Sequence, residues 1–202
     1  MTFMPDFKSP QELLEHQLKG LKWTVAHAYN GCESYRAKLD QAGVKPTDIQ
    51  SLDDLSKLPF TTTNDLRDGY PFPLLSVPTN DVVRIHASSG TTGKRKVLCY
   101  TQKDIRDWAD MFARCYEMAG LTKDDRVQIA VGYGVWTAGV GFQLGCENHG
   151  AMAVPIGPGN LDMQCQFLVD FQPTVMCCTS SMALLLSEEI KRRGLTDKHR
   201  VK

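Results

Sequence analysis

The chain has 202 residues, of which 42% are hydrophobic and 23% charged, a composition typical of a globular protein with one sizeable core. Lysine and arginine together number 23, as do aspartate and glutamate, so no net charge attracts nucleic acid or an anionic membrane surface. This balance excludes a strongly basic nucleic-acid binder and favours a small-molecule partner.

The first residues and the cysteines bear on where the protein works. Residues 1–20 mix acidic and basic side chains and contain no apolar segment, so we expect no secretory signal peptide. The seven cysteines are an odd number, and no two have the Cys-x-x-Cys spacing. This argues against a disulfide framework and a zinc ribbon. Reduced thiols and a cytoplasmic protein are therefore expected.

The first 80 residues are expected to form a helical and proline-rich region. Apolar side chains recur at helical spacing from residue 10 to residue 28, and Ser9 before Pro10 is a candidate N-cap. A second helix is expected over residues 34–42. Five prolines interrupt the segment that follows, up to residue 78, which predicts short helical turns and loops.

Residues 81–202 alternate between predicted strands and helices. Two β-rich runs, residues 82–87 and 96–101, flank a loop and precede a helix with one apolar face. Further strands are predicted at 126–131, 151–156 and 174–178, with helices ending near residue 149 and spanning 161–171 and 181–193. This alternation predicts an α/β fold with a mainly parallel sheet flanked by helices. Because no linker separates residues 1–80 from 81–202, we expect both regions to belong to one domain.

An uncharged stretch at residues 127–146 raises the question of a membrane span. It includes Gly141-x-x-x-Gly145, a spacing found where helices pair in lipid. However, the same stretch contains Gln128, Gln143 and five glycines, and it begins like a strand. We therefore expect a buried strand, loop and helix, and no membrane association.

The loop between the first two strands, residues 88–94, is the strongest candidate for ligand binding and is called the glycine loop. Gly90 and Gly93 permit positive φ, so the backbone can approach a ligand and point N–H groups at phosphate oxygens. Five side chains add hydroxyl donors and a positive charge: Ser88, Ser89, Thr91, Thr92 and Lys94. The Walker A pattern does not fit, because the glycines are too close together, Arg95 replaces the required Ser or Thr, and a strand follows. A plain hairpin loop is the alternative.

The glycine loop resembles the Ser/Thr-Ser-Gly-Thr-Thr-Gly-Lys-Pro signature of the adenylate-forming superfamily of acyl-CoA synthetases, peptide-synthetase adenylation domains and luciferases. Arg95 stands where proline is usual. The surrounding sequence is similar to the phenylacetate–CoA ligase branch, and the similarity covers nearly the whole chain. The stretches that carry it are residues 25–29, 35–36, 42–44, 52–67, 70–72, 132–134, 155–157 and 179–180.

The resemblance implies an acid–thiol ligase that acts in two steps. ATP and a carboxylate, with phenylacetate as the expected acid, give an acyl-adenylate and pyrophosphate, and the thiol of coenzyme A then displaces AMP. Such chemistry needs charge stabilisation on the polyphosphate and positioning of the carboxylate. By resemblance, residues 88–94 would hold the β- and γ-phosphates, Lys94 would be catalytic, and Mg²⁺ would bridge the phosphates.

The resemblance also implies a pocket for the aryl acid at residues 132–139, which follow a predicted strand. Open α/β sheets bind ligands at the carboxyl ends of their strands. Tyr133 and Trp136 are the candidates for contacting the aromatic ring, with core packing as the alternative. The expected pocket residues are Tyr133, Gly134, Trp136, Thr137 and Gly139.

Three weaker signals favour structural roles. Cys146-x-x-His149 is at most half a metal site, since no second pair completes it, and we expect no protein-held metal. Cys177 and Cys178 suggest a nucleophile but have no assignable base, so packing is the expected role. His86 is either a core strand residue or a polar neighbour of the phosphates.

Several features that the resemblance predicts do not appear: a Tyr-Gly-x-Thr-Glu motif, an Asp for the ribose hydroxyls, and a mobile C-terminal domain with a catalytic lysine. The resemblance therefore implies that residues 1–80 and 81–202 together are an incomplete portion of one larger domain, and that the isolated chain is inactive. We expect it to self-associate through an unpaired sheet edge or to bind ATP poorly. The alternative is a non-catalytic nucleotide-binding or oligomerising remnant. A kinase-like phosphotransferase is disfavoured by the missing Walker Ser or Thr.

Overall fold

The structure is a computed structural model that describes residues 2–91 and 93–201. The chain divides into two compact units. One comprises Pro5–Gln102, and the other joins the described parts of Met1–Met4 and Lys103–Lys202. The division of the sequence after residue 80 stays a prediction.

The first unit begins with helices that pack around a small apolar core. Helix α1 spans Pro10–Gly31, and the Ser9 side chain accepts a hydrogen bond from the Glu12 amide, which caps the helix as predicted. Helices α2 and α3 span Glu33–Gln41 and Thr63–Asp68. Short 3-10 helices occupy Pro46–Asp48, Leu52–Lys57 and Thr79–Asp81. The buried side chains of this core are Val25, Leu39, Val44 and Ile49.

An antiparallel hairpin completes the first unit. Strand β1 spans Val82–Ala87 and strand β2 spans Val97–Thr101, with Ala87 opposite Val97. His86 is buried on β1, and its ring lies 4.6 Å from the Tyr100 ring, measured between centroids. Burial and then the charge of Arg84 lower the His86 pKa, which favours neutral imidazole. The structure thus favours the packed strand position for His86.

The second unit is an α/β layer with a three-stranded parallel sheet. Strand β3 (Arg126–Ile129) lies between β4 (Met152–Val154) and β5 (Val175–Cys177), and it is parallel to both. The flanking helices are α4 (Gln102–Met118), α5 (Thr137–His149), α6 (Leu161–Asp170) and α7 (Ser180–Arg192). The prediction of a parallel sheet flanked by helices is therefore confirmed.

The strands are shorter than the sequence predicts, for a local reason. The predicted strand at 151–156 ends at Val154, because Pro155 has no N–H with which to continue a ladder. Beyond the end of β3, the Ala130 amide still donates to the Cys177 carbonyl oxygen at 2.8 Å. The chain therefore leaves the sheet gradually at the carboxyl ends of the strands.

Small residues let α5 lie close to α4. A β-carbon at Gly141 would lie 2.4 Å from Phe112 Cζ, and one at Gly145 would lie 2.3 Å from Phe112 Cβ. The Gly-x-x-x-Gly spacing therefore serves a contact between helices within the protein. Among the described residues, no helix is long and apolar enough to cross a membrane.

Candidate functional site

The glycine loop closes the hairpin, and its first residue is fixed by the strand that follows it. The Ser88 amide donates to the Lys96 carbonyl oxygen at 3.0 Å, and the Lys96 amide donates to Ser88 Oγ at 3.0 Å. Both the backbone amide and the side-chain hydroxyl of Ser88 are therefore hydrogen-bonded to Lys96, and the residue is half-buried. Ser88 therefore anchors the base of the loop.

Beyond Ser88 the backbone takes the positive φ values that the sequence predicts. Gly90 has φ 73° and Gly93 has φ 133°, and the Gly93 amide donates to the Gly90 carbonyl oxygen at 3.3 Å. Residues with a β-carbon rarely adopt such angles. The exposed Ser89 and Thr91 hydroxyl oxygens lie 3.5 Å apart. Thr92, also predicted to bind phosphate, lies outside the described residues.

Positive side chains surround the described part of the loop. Lys94 is exposed, and its Nζ lies 6.0 Å from the centroid of the Tyr70 ring. The guanidinium of Arg67, at the end of α3, lies beside Gly93, since a β-carbon there would be 3.8 Å from Arg67 Cζ. Arg95 lies across the loop from Ser88. An exposed backbone next to three cations is suited to a polyanion.

Sequence reasoning missed Arg67 as a site residue. The stretch that contains it was recognised only as resembling the family, and no chemical pattern ties a helical arginine to a loop 26 positions away. Only the fold brings the arginine to Gly93.

Residues 132–139, called the aromatic turn, connect β3 to α5 at the carboxyl end of the sheet. Gly134 has φ 90°, and the Gly139 amide donates to the Gly132 carbonyl oxygen at 3.1 Å. A β-carbon at Gly139 would lie 2.5 Å from that same oxygen. The turn thus folds back on itself, and Thr137 begins α5.

Tyr133 is half-buried and packs on the core of the second unit. Its ring lies beside Gly157, at which a β-carbon would be 3.8 Å from Tyr133 Cδ2. The hydroxyl oxygen is buried and has no hydrogen-bond partner among the described residues. Burial, followed by the charges of Glu147 and Cys177, raises the Tyr133 pKa to about 12. The hydroxyl is therefore a neutral donor at physiological pH.

Trp136 differs from Tyr133 in its surroundings. Its side chain is 52% exposed, and it lies over Gly132, where a β-carbon would be 3.6 Å from the indole. Tyr133 is therefore partly packed in the core, whereas the Trp136 side chain is not. The structure thus leaves one aromatic face of the turn open to solvent.

A buried pair of amides supports the loop next to Tyr133, and sequence reasoning missed its role. Gln128 Nε2 donates to Gln164 Oε1 at 2.7 Å, and Gln164 Nε2 donates to the Gly157 carbonyl oxygen at 2.8 Å. Both glutamines are fully buried. A polar residue within the apolar β3 sequence was the available signal, because buried amides must be hydrogen-bonded. Together they fix Gly157 against the aromatic turn.

The thiols and the histidine of the weaker signals have structural surroundings. Burial raises the Cys146 pKa to about 12 and also raises the Cys177 pKa, which is the opposite of what a thiolate nucleophile needs. Cys146 donates to the Ala151 carbonyl oxygen, and the His149 ring lies near the Phe3 and Tyr116 rings. No group of three or more potential metal ligands occurs within residues 2–91 and 93–201.

Comparison with known proteins identifies sequence relatives. A phenylacetate–coenzyme A ligase of Pseudomonas putida is 44% identical over 194 residues, which cover 96% of this chain and 44% of that protein. A phenylacetate–coenzyme A ligase of Escherichia coli K12 is 48% identical over 185 residues, which cover 92% of this chain and 42% of that protein. The chain thus spans less than half of the length of these relatives. No family profile matches it.

Comparison of structures gives the same fold. A 2-hydroxyisobutyryl-CoA ligase in complex with 2-HIB-AMP and CoA superposes with a TM-score of 0.86 at 26% identity, covering 93% of this chain and 41% of that one. An open conformation of that ligase superposes with a TM-score of 0.84 at 24% identity. The chain therefore has an α/β fold of the adenylate-forming CoA ligases.

Proposed function

The chain is a sequence relative of the phenylacetate–coenzyme A ligases and corresponds to their N-terminal part, and on this premise we propose that it serves an ATP-dependent aryl-acid–CoA ligase. The acid carboxylate attacks the α-phosphate of ATP and pyrophosphate leaves. The thiol of coenzyme A then attacks the acyl carbon and AMP leaves. Phenylacetate is the acid that we propose, from the names of the relatives.

The glycine loop is the observation that supports this proposal most directly. Its two glycines adopt positive φ in an exposed backbone, and Lys94 and Arg67 place positive charge next to it. Residues 88–94 would donate hydrogen bonds to the β- and γ-phosphates. Lys94 would stabilise the negative charge that develops on the pyrophosphate leaving group.

The aromatic turn would receive the acid. Trp136 offers an exposed ring face and Tyr133 a half-buried ring, and both can pack on an aryl group. The glycines at 134 and 139 keep the backbone of the turn compact. Thr137, at the start of α5, would lie next to the bound acid.

Mg²⁺ prefers oxygen ligands, and the described residues contain no group of three or more His, Cys, Asp or Glu side chains that could hold a metal ion. Lys94 and Arg67, beside the described part of the glycine loop, are cations, which repel Mg²⁺. We propose that the ion enters on the phosphate oxygens of ATP and takes no ligand from this part of the chain. Coenzyme A acts as the second substrate, and the cytoplasm is the proposed location.

The experiment is pyrophosphate exchange by the complete gene product with ATP and phenylacetate. We expect exchange, and we expect Lys94→Ala to slow it on the order of ten- to a thousandfold, because one charge that stabilises the leaving group is lost. Lys19→Ala, which removes an exposed cation from α1, is the matched control and leaves the rate unchanged.

Two results contradict the proposal. An unchanged rate in the Lys94 variant removes the assignment of Lys94. Nucleotide binding without exchange, in a complete gene product that ends where this chain ends, supports the alternative of a non-catalytic remnant.

Light scattering on the 202-residue chain tests the expected self-association.

A further inference from the structure

Arg95 occupies the position at which the superfamily signature carries proline, and its side chain folds back over the glycine loop. Arg95 Nη1 donates a hydrogen bond of 2.9 Å to the Ser88 carbonyl oxygen. Ser88 is also bonded through its amide and its hydroxyl to Lys96. The guanidinium therefore joins the end of the loop to its fixed first residue.

The aliphatic part of the same side chain lies on Gly90. A β-carbon at Gly90 would be 2.7 Å from Arg95 Cγ and 3.6 Å from Arg95 Nε. Position 90 therefore favours glycine for two reasons. The backbone has a φ of 73°, and the Arg95 side chain occupies the space that a β-carbon would need.

We propose that Arg95 is a positioning residue that holds the glycine loop in its phosphate-binding conformation, the role that proline would fill through its restricted backbone. Proline reduces the number of conformations open to a loop by fixing φ. Arg95 restricts the same loop by a side-chain hydrogen bond across it. This inference rests on the proposed function, since it assumes that the loop binds phosphate.

The alternative role for Arg95 is direct contact with the phosphates. Replacement by alanine weakens phosphate binding under both roles, because a positive charge is lost. Replacement by proline separates them. Arg95→Pro loses the same charge as Arg95→Ala but restores a restriction of the loop, so only a positioning role predicts different affinities for the two variants.

The experiment is calorimetric titration of the 202-residue chain with inorganic tripolyphosphate. We expect Arg95→Ala to bind about fivefold more weakly than the unsubstituted chain and at least threefold more weakly than Arg95→Pro. Lys19→Ala, which removes an exposed cation from α1, is expected to bind as the unsubstituted chain does. Equal affinities of Arg95→Ala and Arg95→Pro would overturn the proposal in favour of direct contact.

Amide hydrogen exchange of the ligand-free chain is a second readout, which needs neither phosphate binding nor a folded proline variant. The Gly93 amide, which donates to Gly90, should exchange about fivefold faster in Arg95→Ala. An unchanged rate at Gly93 overturns the positioning role. If the unsubstituted chain does not bind tripolyphosphate, amide exchange at Gly93 decides the role of Arg95, and pyrophosphate exchange by the complete gene product separately decides the proposed function.

Discussion

The glycine loop and the aromatic turn are both rich in glycine, but they use it differently. In the loop, Gly90 meets a flexible arginine side chain in an exposed segment. In the turn, Gly139 is buried and meets a backbone carbonyl oxygen, next to a tyrosine that packs on the core. The loop is therefore held by a side-chain contact that a substitution can remove, whereas the turn is held by the close approach of its own backbone.

Substitution within the turn gives the largest expected effect. In Gly139→Ala the new methyl group would lie 2.5 Å from the Gly132 oxygen, and a backbone atom cannot move away without opening the turn. We expect the free energy of unfolding of the second unit to fall by about 2 kcal/mol. Urea unfolding followed by hydrogen exchange mass spectrometry measures this separately for peptides of each unit.

Gly20→Ala in α1 is the control for a helical glycine. No heavy atom lies within 4 Å of the added methyl group there, so helix propensity alone predicts a gain of up to about 1 kcal/mol. If Gly139→Ala also stabilises, the turn is not held by the close approach of its backbone.

A somewhat smaller loss is expected where the sheet supports the turn. Gln164→Leu removes the amide oxygen that accepts from Gln128 Nε2 and the amide nitrogen that donates to Gly157. Gln128 Nε2 then keeps only its bond to the backbone carbonyl oxygen of residue 164, and the buried Gly157 carbonyl oxygen loses this donor. We expect a loss on the order of 1.5 kcal/mol in the same unfolding measurement.

The double variant Gln128→Leu with Gln164→Leu tests the cause. It removes both partners, so we expect it to recover part of the stability lost in the single variant. Additive losses in the double variant would show that the two glutamines act independently and that Gly157 is held by other contacts.

The sequence predicts the elements of this fold well because their signals are local. Regular apolar spacing and a serine cap are enough to predict α1, and β-rich runs around the glycines are enough to predict the two strands that flank the loop. Their antiparallel pairing is seen only in the structure. The glycines of the loop are also predictable, since positive φ is a property of a single residue.

The rest depends on contacts between distant positions. Gln128 and Gln164 are 36 residues apart, and neither sequence neighbourhood indicates the other. Arg67 reaches Gly93 only because α3 folds beside the hairpin loop. Gly139 was expected to line a pocket, and its close approach to Gly132 becomes visible only when the turn closes on itself. Its part in binding an acid stays a prediction.

The smallest expected effect on stability is that of Gly90→Ala. This variant tests most directly whether the glycine loop and the aromatic turn are held in different ways. The new methyl group would lie 2.7 Å from Arg95 Cγ, about as close as the contact at Gly139, but the atom that it meets belongs to a flexible and exposed side chain. Arg95 can move away, so the remaining cost is that of an alanine at φ 73°, about 1 kcal/mol.

Movement of Arg95 breaks its hydrogen bond to Ser88, so Gly90→Ala should also raise exchange at the Gly93 amide as Arg95→Ala does. The combined variant should then exchange no faster than either single one, because both act through the same contact. If Gly90→Ala instead destabilises its unit as much as Gly139→Ala does, the glycine loop is as rigid as the aromatic turn. A loop of that kind would be held by its backbone, and the Arg95 side chain would not be the contact that fixes its conformation.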